Sequence, residues 1–506
     1  MEIATAAYLD QLNESAEQMR HSILTAADTL HPAGKIYYVS SIEGNDACAG
    51  NSPAQPWRTL EKASSAQLMP GDAVLFKRGE IFRGQIICRE GVTYGAWGQG
   101  EKPKIYGWTH DLADSSLWEL FDKQHAIYHL REKIPDCGTL VFNDGESASR
   151  KLIPSFMGGR FVCRNCPDQD FMMENEMTHD LDLFCSCLAK MTTAPSHGED
   201  WPIPAVRDTV GDLYLRCDAG NPGDVFQSIE ALPGYNLMVV GSKNHVTIDN
   251  LCLKYGGAHA IGAGGPCVRG LHVTNCEIGW IGGTIQHYLG TDPNYPQGTR
   301  GTVTRFGNGI EIYGGCDDYL CANNCIYQIY DAGITHQFTV KDEPCHMSHI
   351  RYTGNLIDKC VYSIEYFLAN TAQTGSTMDD IEIDHNFLRF AGYGWGQQRH
   401  NAWTPAHIKS WSFENPARRY RIHDNTFDRS QYRLLHLCCM EAEDYPSIFH
   451  NAYVQTMGYP LGQFGAIKKK PAPVLSCMEN MDEDVKQAIG DTMADAFCVL
   501  PTAQQR

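Results

Sequence analysis

Six segments in the second half of this 506-residue chain share one internal design. They read HVTIDNLCLKYGG (245–257), LHVTNCEIGWIGG (271–283), DYLCANNCIYQIYDAGI (318–334), HIRYTGNLIDKCVYSI (349–364), DIEIDHNFLRFAGYG (380–394) and YRIHDNTFDRSQYRLL (420–435). Each has a short alternating strand, an asparagine, an apolar residue, a second strand and a turn. The asparagines fall at 250, 275, 324, 355, 386 and 425, at intervals of 25, 49, 31, 31 and 39. A unit of about 24 residues accounts for these spacings if the 49-residue interval holds two units and the longer ones carry loops. One such unit cannot bury its own apolar face, so copies must stack. Asparagine at a fixed turn tolerates the left-handed conformation and can bond to the neighbouring copy.

The expected fold is therefore all-β, a right-handed parallel β-helix. A leucine-rich repeat would need L-x-x-L-x-L, which is absent, and ankyrin or TPR units would need helices. Residues 1–34 read as an amphipathic N-terminal helix, and 35–104 as the cap and first coils of the solenoid. Residues 105–238 read as an inserted, mainly β subdomain, and 239–440 as the β-helix core with its groove. Residues 441–506, with the helical stretch MDEDVKQAIGDTMADAF, read as a C-terminal cap.

Stacked coils place equivalent residues about 4.8 Å apart, and alternate side chains point inward or outward. In NGIEIYGG, AGITHQF, YSIEYF, AHIKSW and RLLHLCC, the isoleucines at 310, 312, 334, 364 and 408 point inward. His407 and Lys409 are expected to point outward together. Glu311, Thr335, Glu365, Lys409 and His436 then form one outward column. Asp331 stands at the turn of the coil between the two glutamates. His336, Gln337, Arg399 and His400 lie near in sequence, as do Tyr330, Tyr362, Tyr366, Phe367, Tyr393, Trp395, Trp403 and Trp411.

That mixture suits a sugar. Aromatic faces stack on pyranose rings, and carboxylates, amides, Arg and His bond hydroxyls. Paired carboxyls suit glycosidic cleavage, because one must be protonated while the other attacks or activates water. The candidate catalytic residues are Asp331, Glu365 and Glu311. The candidate substrate-binding residues are His336, Gln337, Tyr366, Trp395, Arg399, His400 and Lys409.

GNDACAGNSPAQPWRTLEKAS with PGDAVLFKRGEIFRG resembles the N-terminal cap of right-handed β-helix carbohydrate-active enzymes. NGIEIYGG, IYDAGITHQ and YSIEYF resemble the core of β-helix glycoside hydrolases, among them β-xylosidases and fucosidase/xylanase-like enzymes. The resemblance covers residues 35–105 and 240–440. It implies hydrolysis of glycosidic bonds in plant-type or host-type oligosaccharides by a paired-carboxylate, retaining mechanism. Asp331 would be the nucleophile, Glu365 the general acid/base and Glu311 a supporting acid.

Two other readings stand beside it. A polysaccharide lyase or uronate epimerase would use Lys409, Arg399 or His336 as base and cation, and its acids could hold Ca²⁺. A non-catalytic glycan-binding β-helix would need the aromatics and amides but no matched acids. The net charge of −19 disfavours nucleic acid and anionic membranes as partners. No apolar run is long enough to span a bilayer. Without a recognisable export signal the expectation is cytoplasmic, where most of the 20 cysteines would be reduced and buried. Cys163, Cys166, Cys185 and Cys187 could hold zinc, although the second pair misses the usual spacing. No cofactor is required, and oligomeric state is open.

Overall fold

The computed structural model describes residues 1–157, 160–163, 169–187, 210–288, 303–372, 374–399, 403–469, 474–491 and 495–501. The chain winds through three strands per coil, and strands of successive coils pair in parallel. The first face stacks Cys252–Gly256, Glu277–Ile281, Cys325–Ile329, Leu356–Asp358, Phe387–Ala391, Thr426–Ser430 and Ala452–Thr456. The second stacks Ala332–Thr339, Tyr362–Ala369, Ala406–Ser410, Leu435–Cys439 and Pro460–Ala466. The third stacks His346–Thr353, Thr377–Asp384, Ala417–His423 and Ser447–Phe449. Strands Ile261–Thr274 and Ile310–Ala322 serve both the second and third faces. The corner in the latter falls at Gly314, with φ of +145° and no room for a Cβ against the Gly265 carbonyl. Parallel crossovers of this kind are right-handed, and the fold is a right-handed parallel β-helix.

Inside, apolar residues stack coil on coil. Ile261, Ile310, Ile334, Ile364, Ile408 and Leu435 are consecutive register partners, all fully buried. Each contributes about 2 kcal/mol by leaving water. No single coil could bury such a row alone.

The asparagine ladder links the coils at one corner. The backbone N–H and Nδ2 of Asn324 both donate to Oδ1 of Asn355 at 3.0 Å. Asn355 does the same to Asn386, Asn386 to Asn425, and Asn425 to Asn451. Asp491 ends the row, accepting the N–H and Nδ2 of Asn451 at 3.0 and 3.1 Å. Two features differ from the sequence expectation. The left-handed residues are those just before the ladder (Asn323, Gly354, His385, Asp424 and His450), not these asparagines. Asn250 and Asn275 do have positive φ, but they bond to acids, Asp28 and Asp249.

The 49-residue interval holds one coil, not two. Glu277–Ile281 pairs directly with Cys325–Ile329, and the surplus chain leaves as a hairpin, Thr284–Tyr288 against Val303–Phe306. Spacing alone cannot tell a second coil from an excursion.

The inserted segment leaves after Lys104–Tyr106, which pairs with Cys252–Gly256, and rejoins at Met238–Gly241. It forms five- and three-stranded sheets around its own core, including Leu112, Trp118, Leu140, Phe142 and Leu215. Cys185 and Cys187 belong to that core, and burial pushes the Cys185 thiol up to about 11. Cys163 is half-buried, while Cys166 lies outside the described residues. Among the described residues no group of three or more His, Cys, Asp or Glu is placed to hold a metal ion.

Helix Ala6–Leu24, capped by the Thr5 hydroxyl, lies along the outside of the first face, with Leu12, Ala16 and Ile23 against Cys325, Leu356, Phe387 and Val454. Ahead of it, Glu2–Ile3 pairs with Asp495–Val499 on the last coil. The short helix Asp482–Ile489 buries Val485 and Ile489 against the end of the core. No helix among the described residues is long and apolar enough to cross a membrane.

Candidate active site

The second face carries the polar column. Gly262 pairs with Glu311, Thr335 with Glu365, Glu365 with Lys409, Lys409 with His436, and His436 with Gln463. Ile310 pairs with Ile334, which sets Glu311 one coil from Thr335. The column read from alternation is therefore the one that forms.

Glu311 is buried and held by three donors. Asn308 Nδ2 and the Thr335 hydroxyl reach Oε2 at 2.5 Å, and Gln337 Nε2 reaches both oxygens at 3.1 and 3.2 Å. Asn308 also accepts the Ala332 N–H at 2.8 Å and gives its own N–H to His259 Nδ1 at 3.0 Å. Burial keeps His259 below its usual range, so Nδ1 remains an acceptor. Asn308 lies three residues before Glu311 in the motif NGIEIYGG and escaped sequence reasoning, although that spacing was its signal.

Asp331 sits at the turn into the second face. Its N–H donates to the Gly307 carbonyl, and its carbonyl accepts from Val361 and Tyr362. Gly307, at φ of +136°, packs against Gly282 where a Cβ would stand 2.1 Å from the Gly282 Cα. The Asp331 side chain is 13% exposed and ion-pairs with Arg399. Arg399 in turn lies 5.4 Å from the centre of the Tyr362 ring.

Glu365 is 5% exposed. Trp411 donates its indole N–H to Oε1 at 2.5 Å. Burial first, and then the negative charges of Asp331 and Glu311, push its carboxyl up to about 8, against the opposing pull of Trp411 and Arg399. Burial raises Asp331 too, while Arg399 opposes.

Several predicted binding residues stand elsewhere. His336 is inside the coil, stacked on Tyr366 at 5.4 Å and bonded to the Tyr352 hydroxyl at 3.0 Å; burial pulls it down to about 3. Tyr366 is also inside, against Tyr420. The alternation that turns Thr335, Gln337 and Glu365 outward turns these two inward. His407 also faces in, against the parity it shares with Lys409, because at this end of the strand it bonds to Ser363 at 3.0 Å and packs near Phe427. Trp395 is buried between the inserted subdomain and the coil, 5.1 Å from Tyr330, with its indole N–H on the Gln328 carbonyl. It is a wedge rather than an exposed sugar platform. His400 lies outside the described residues. Gln337, Arg399 and Lys409 do stand with the acids.

The strap carrying Arg399 is tied to the insertion. Gln398 Oε1 accepts the Lys151 N–H at 3.1 Å and its Nε2 donates to the Ser149 carbonyl at 2.7 Å. A cavity of about 540 Å³ opens there, between Arg150–Pro154, Phe171, His179 and Gln397–Gln398.

No protein-family model matches the chain. Over 76 residues, 15% of the chain, it is 38% identical to a lacto-N-biosidase of Bifidobacterium longum subsp. longum, and that stretch spans 4% of the relative's length. Among solved structures it is similar to a lacto-N-biosidase of glycoside hydrolase family 136 from Eubacterium ramulus, with a TM-score of 0.37 and 13% identity over 98% of this chain and 71% of that one. It is also similar to XylC in complex with xylose, with a TM-score of 0.38 and 10% identity over 92% of this chain and 82% of that one.

Proposed function

We propose that this protein hydrolyses a glycosidic bond in an oligosaccharide, with Asp331 and Glu365 as the working carboxyls. The observation that carries the reading is their division of charge. Burial and the charges of Asp331 and Glu311 push the Glu365 carboxyl up to about 8, while Asp331 ion-pairs with the Arg399 guanidinium. A glycosidase needs that asymmetry: a protonated acid for the leaving oxygen and an ionised partner for the anomeric carbon or its water. The name of the curated relative, a lacto-N-biosidase, agrees with it.

In this mechanism Oε1 of Glu365 is occupied by Trp411, so the transferable proton sits on Oε2. As the leaving group departs, Glu365 becomes anionic, and Arg399 and Lys409 steady the new charge. Asp331 attacks the anomeric carbon, and Glu365 then takes a proton from water to release the sugar. The charge of Asp331 raises Glu365, and a retaining mechanism requires the two carboxyls to stand roughly 5 Å apart. Glu311 is fully bonded by its three donors and acts as a fixed negative charge that helps keep Glu365 protonated. A cytoplasmic location and the lack of a cofactor remain part of the proposal. Turnover of a panel of aryl xylosides, fucosides, galactosides and arabinosides tests it, with Asp331→Asn and Glu365→Gln as controls. Hydrolysis that both variants retain at the wild-type rate would overturn the assignment.

A further inference from the structure

The column does not end at the acids. Past Glu365, two further coils present Lys409 and then His436, with Gln463 beyond and Arg433 beside them. Lys409 is 1% exposed and has no carboxylate within ion-pair distance among the described residues. Its ammonium donates to Nδ1 of His436 and lies 4.2 Å from the centre of the Trp411 ring. Among the described residues His436 Nε2 and Arg433 Nε are buried without hydrogen-bond partners. Arg433 also has no carboxylate partner among them; its other nitrogens reach Gln463 Oε1 at 3.1 Å and the Tyr432 hydroxyl at 3.0 Å.

Burying an ammonium and an imidazole beside a half-buried guanidinium, with no carboxylate in ion-pair distance among the described residues, is costly, and proteins ordinarily pair such charges. Crowding shows in the titration as well. Burial and Arg433 hold Lys409 down near 8 despite Glu365, and burial, Lys409 and Arg433 hold His436 near 2. A neutral His436 that accepts from Lys409 on Nδ1 carries its proton on Nε2, so all three groups offer donors. An anionic oxygen placed among them would supply the missing charge and acceptors together.

We propose that Lys409, His436 and Arg433 form an anion subsite one to two coils from Glu365, so that the substrate is an oligosaccharide with an acidic sugar beside the cleaved bond. The acidic group is a uronate carboxylate or a sulfate ester. This rests on the hydrolase reading for its place in the substrate, but the subsite binds whether or not turnover occurs.

The test is binding by the Glu365→Gln protein to uronate-bearing, sulfated and neutral oligosaccharides, with inorganic sulfate as a bare-anion probe. Acidic glycans should bind at least ten-fold more tightly than neutral ones of equal length, and the carboxylate and sulfate arms identify the group. Raising NaCl from 50 to 500 mM should weaken only the acidic glycans, which reads the site without touching its cations. Adding Arg433→Gln should abolish the preference, with thermal unfolding as the control for folding. Equal binding of neutral glycans, no glycan binding at all, or a preference that survives both salt and Arg433→Gln would overturn the subsite. Acidic glycans bound but never cleaved by wild type would instead overturn the hydrolase reading and leave the subsite standing. Neutral glycans cleaved without acidic preference would do the reverse.

Discussion

Trp411 donates its indole N–H to one oxygen of Glu365 at 2.5 Å, from the loop that follows the next coil. That bond favours the ionised carboxylate and opposes the burial that raises it. Trp411→Phe keeps the ring and removes the donor. The alkaline limb of the kcat/KM profile, set in wild type by Glu365 near pH 8, should move to higher pH in this variant. A limb that stays in place would separate Glu365 from the acid role.

Glu365→Gln should lower kcat by about 10²–10⁴-fold on substrates with poor, alkyl leaving groups. The loss in the glycosylation step should be much smaller with a 4-nitrophenyl leaving group, which needs little proton assistance. Asp331→Asn should be severe for both, because it removes the nucleophile rather than the proton. Steady-state and burst kinetics on the two substrate types check the contrast.

Arg399→Gln removes the countercharge from Asp331. The acid limb of the profile should then move up in pH and narrow the active window from below, because Arg399 opposes the rise imposed by burial. An unchanged acid limb would contradict the pairing as a control on Asp331.

The raised Glu365 carboxyl also bears on stability. In the unfolded chain this group ionises near 4.5, and in the folded protein near 8. Between those values the folded state binds the extra proton, so stability falls as pH rises through the window. Glu365→Gln has no proton to lose there. It should be more stable than wild type at pH 8–9, by roughly 2 kcal/mol or more, and nearly equal to it at pH 4. Chemical denaturation at both pH values measures the difference.

The ladder makes its own prediction. Asn355 accepts two hydrogen bonds from Asn324 and donates to Asn386 and the Cys321 carbonyl. Asn355→Ala leaves the Asn324 N–H and one of its two Nδ2 hydrogens buried without a partner, the other still reaching the Val273 carbonyl, which should cost roughly 2–4 kcal/mol. Asn355→Asp restores the acceptor but not the donor, as Asp491 does at the end of the row, and should recover part of that loss.

The repeat, the all-β solenoid and the outward column were legible in the text of the chain. Strand alternation is a local covalent property, and two residues show why it must be applied evenly: the parity that turns Glu365 outward turns Tyr366 and His336 inward, where they stack on each other. What needed three dimensions was everything delivered from outside the strands. The 49-residue interval proved to be one coil with a hairpin. Trp395 wedges under the insertion, and its near neighbour Arg399 reaches Asp331. Trp411 closes on Glu365, and Arg433 comes to stand near Lys409 and His436, with no carboxylate ion-paired to either cation among the described residues. The order of residues sets which way a strand's side chains point, because the backbone pleat requires it. Where a loop's side chain lands depends on the packing of coils distant in sequence, and there the charge of the site was decided.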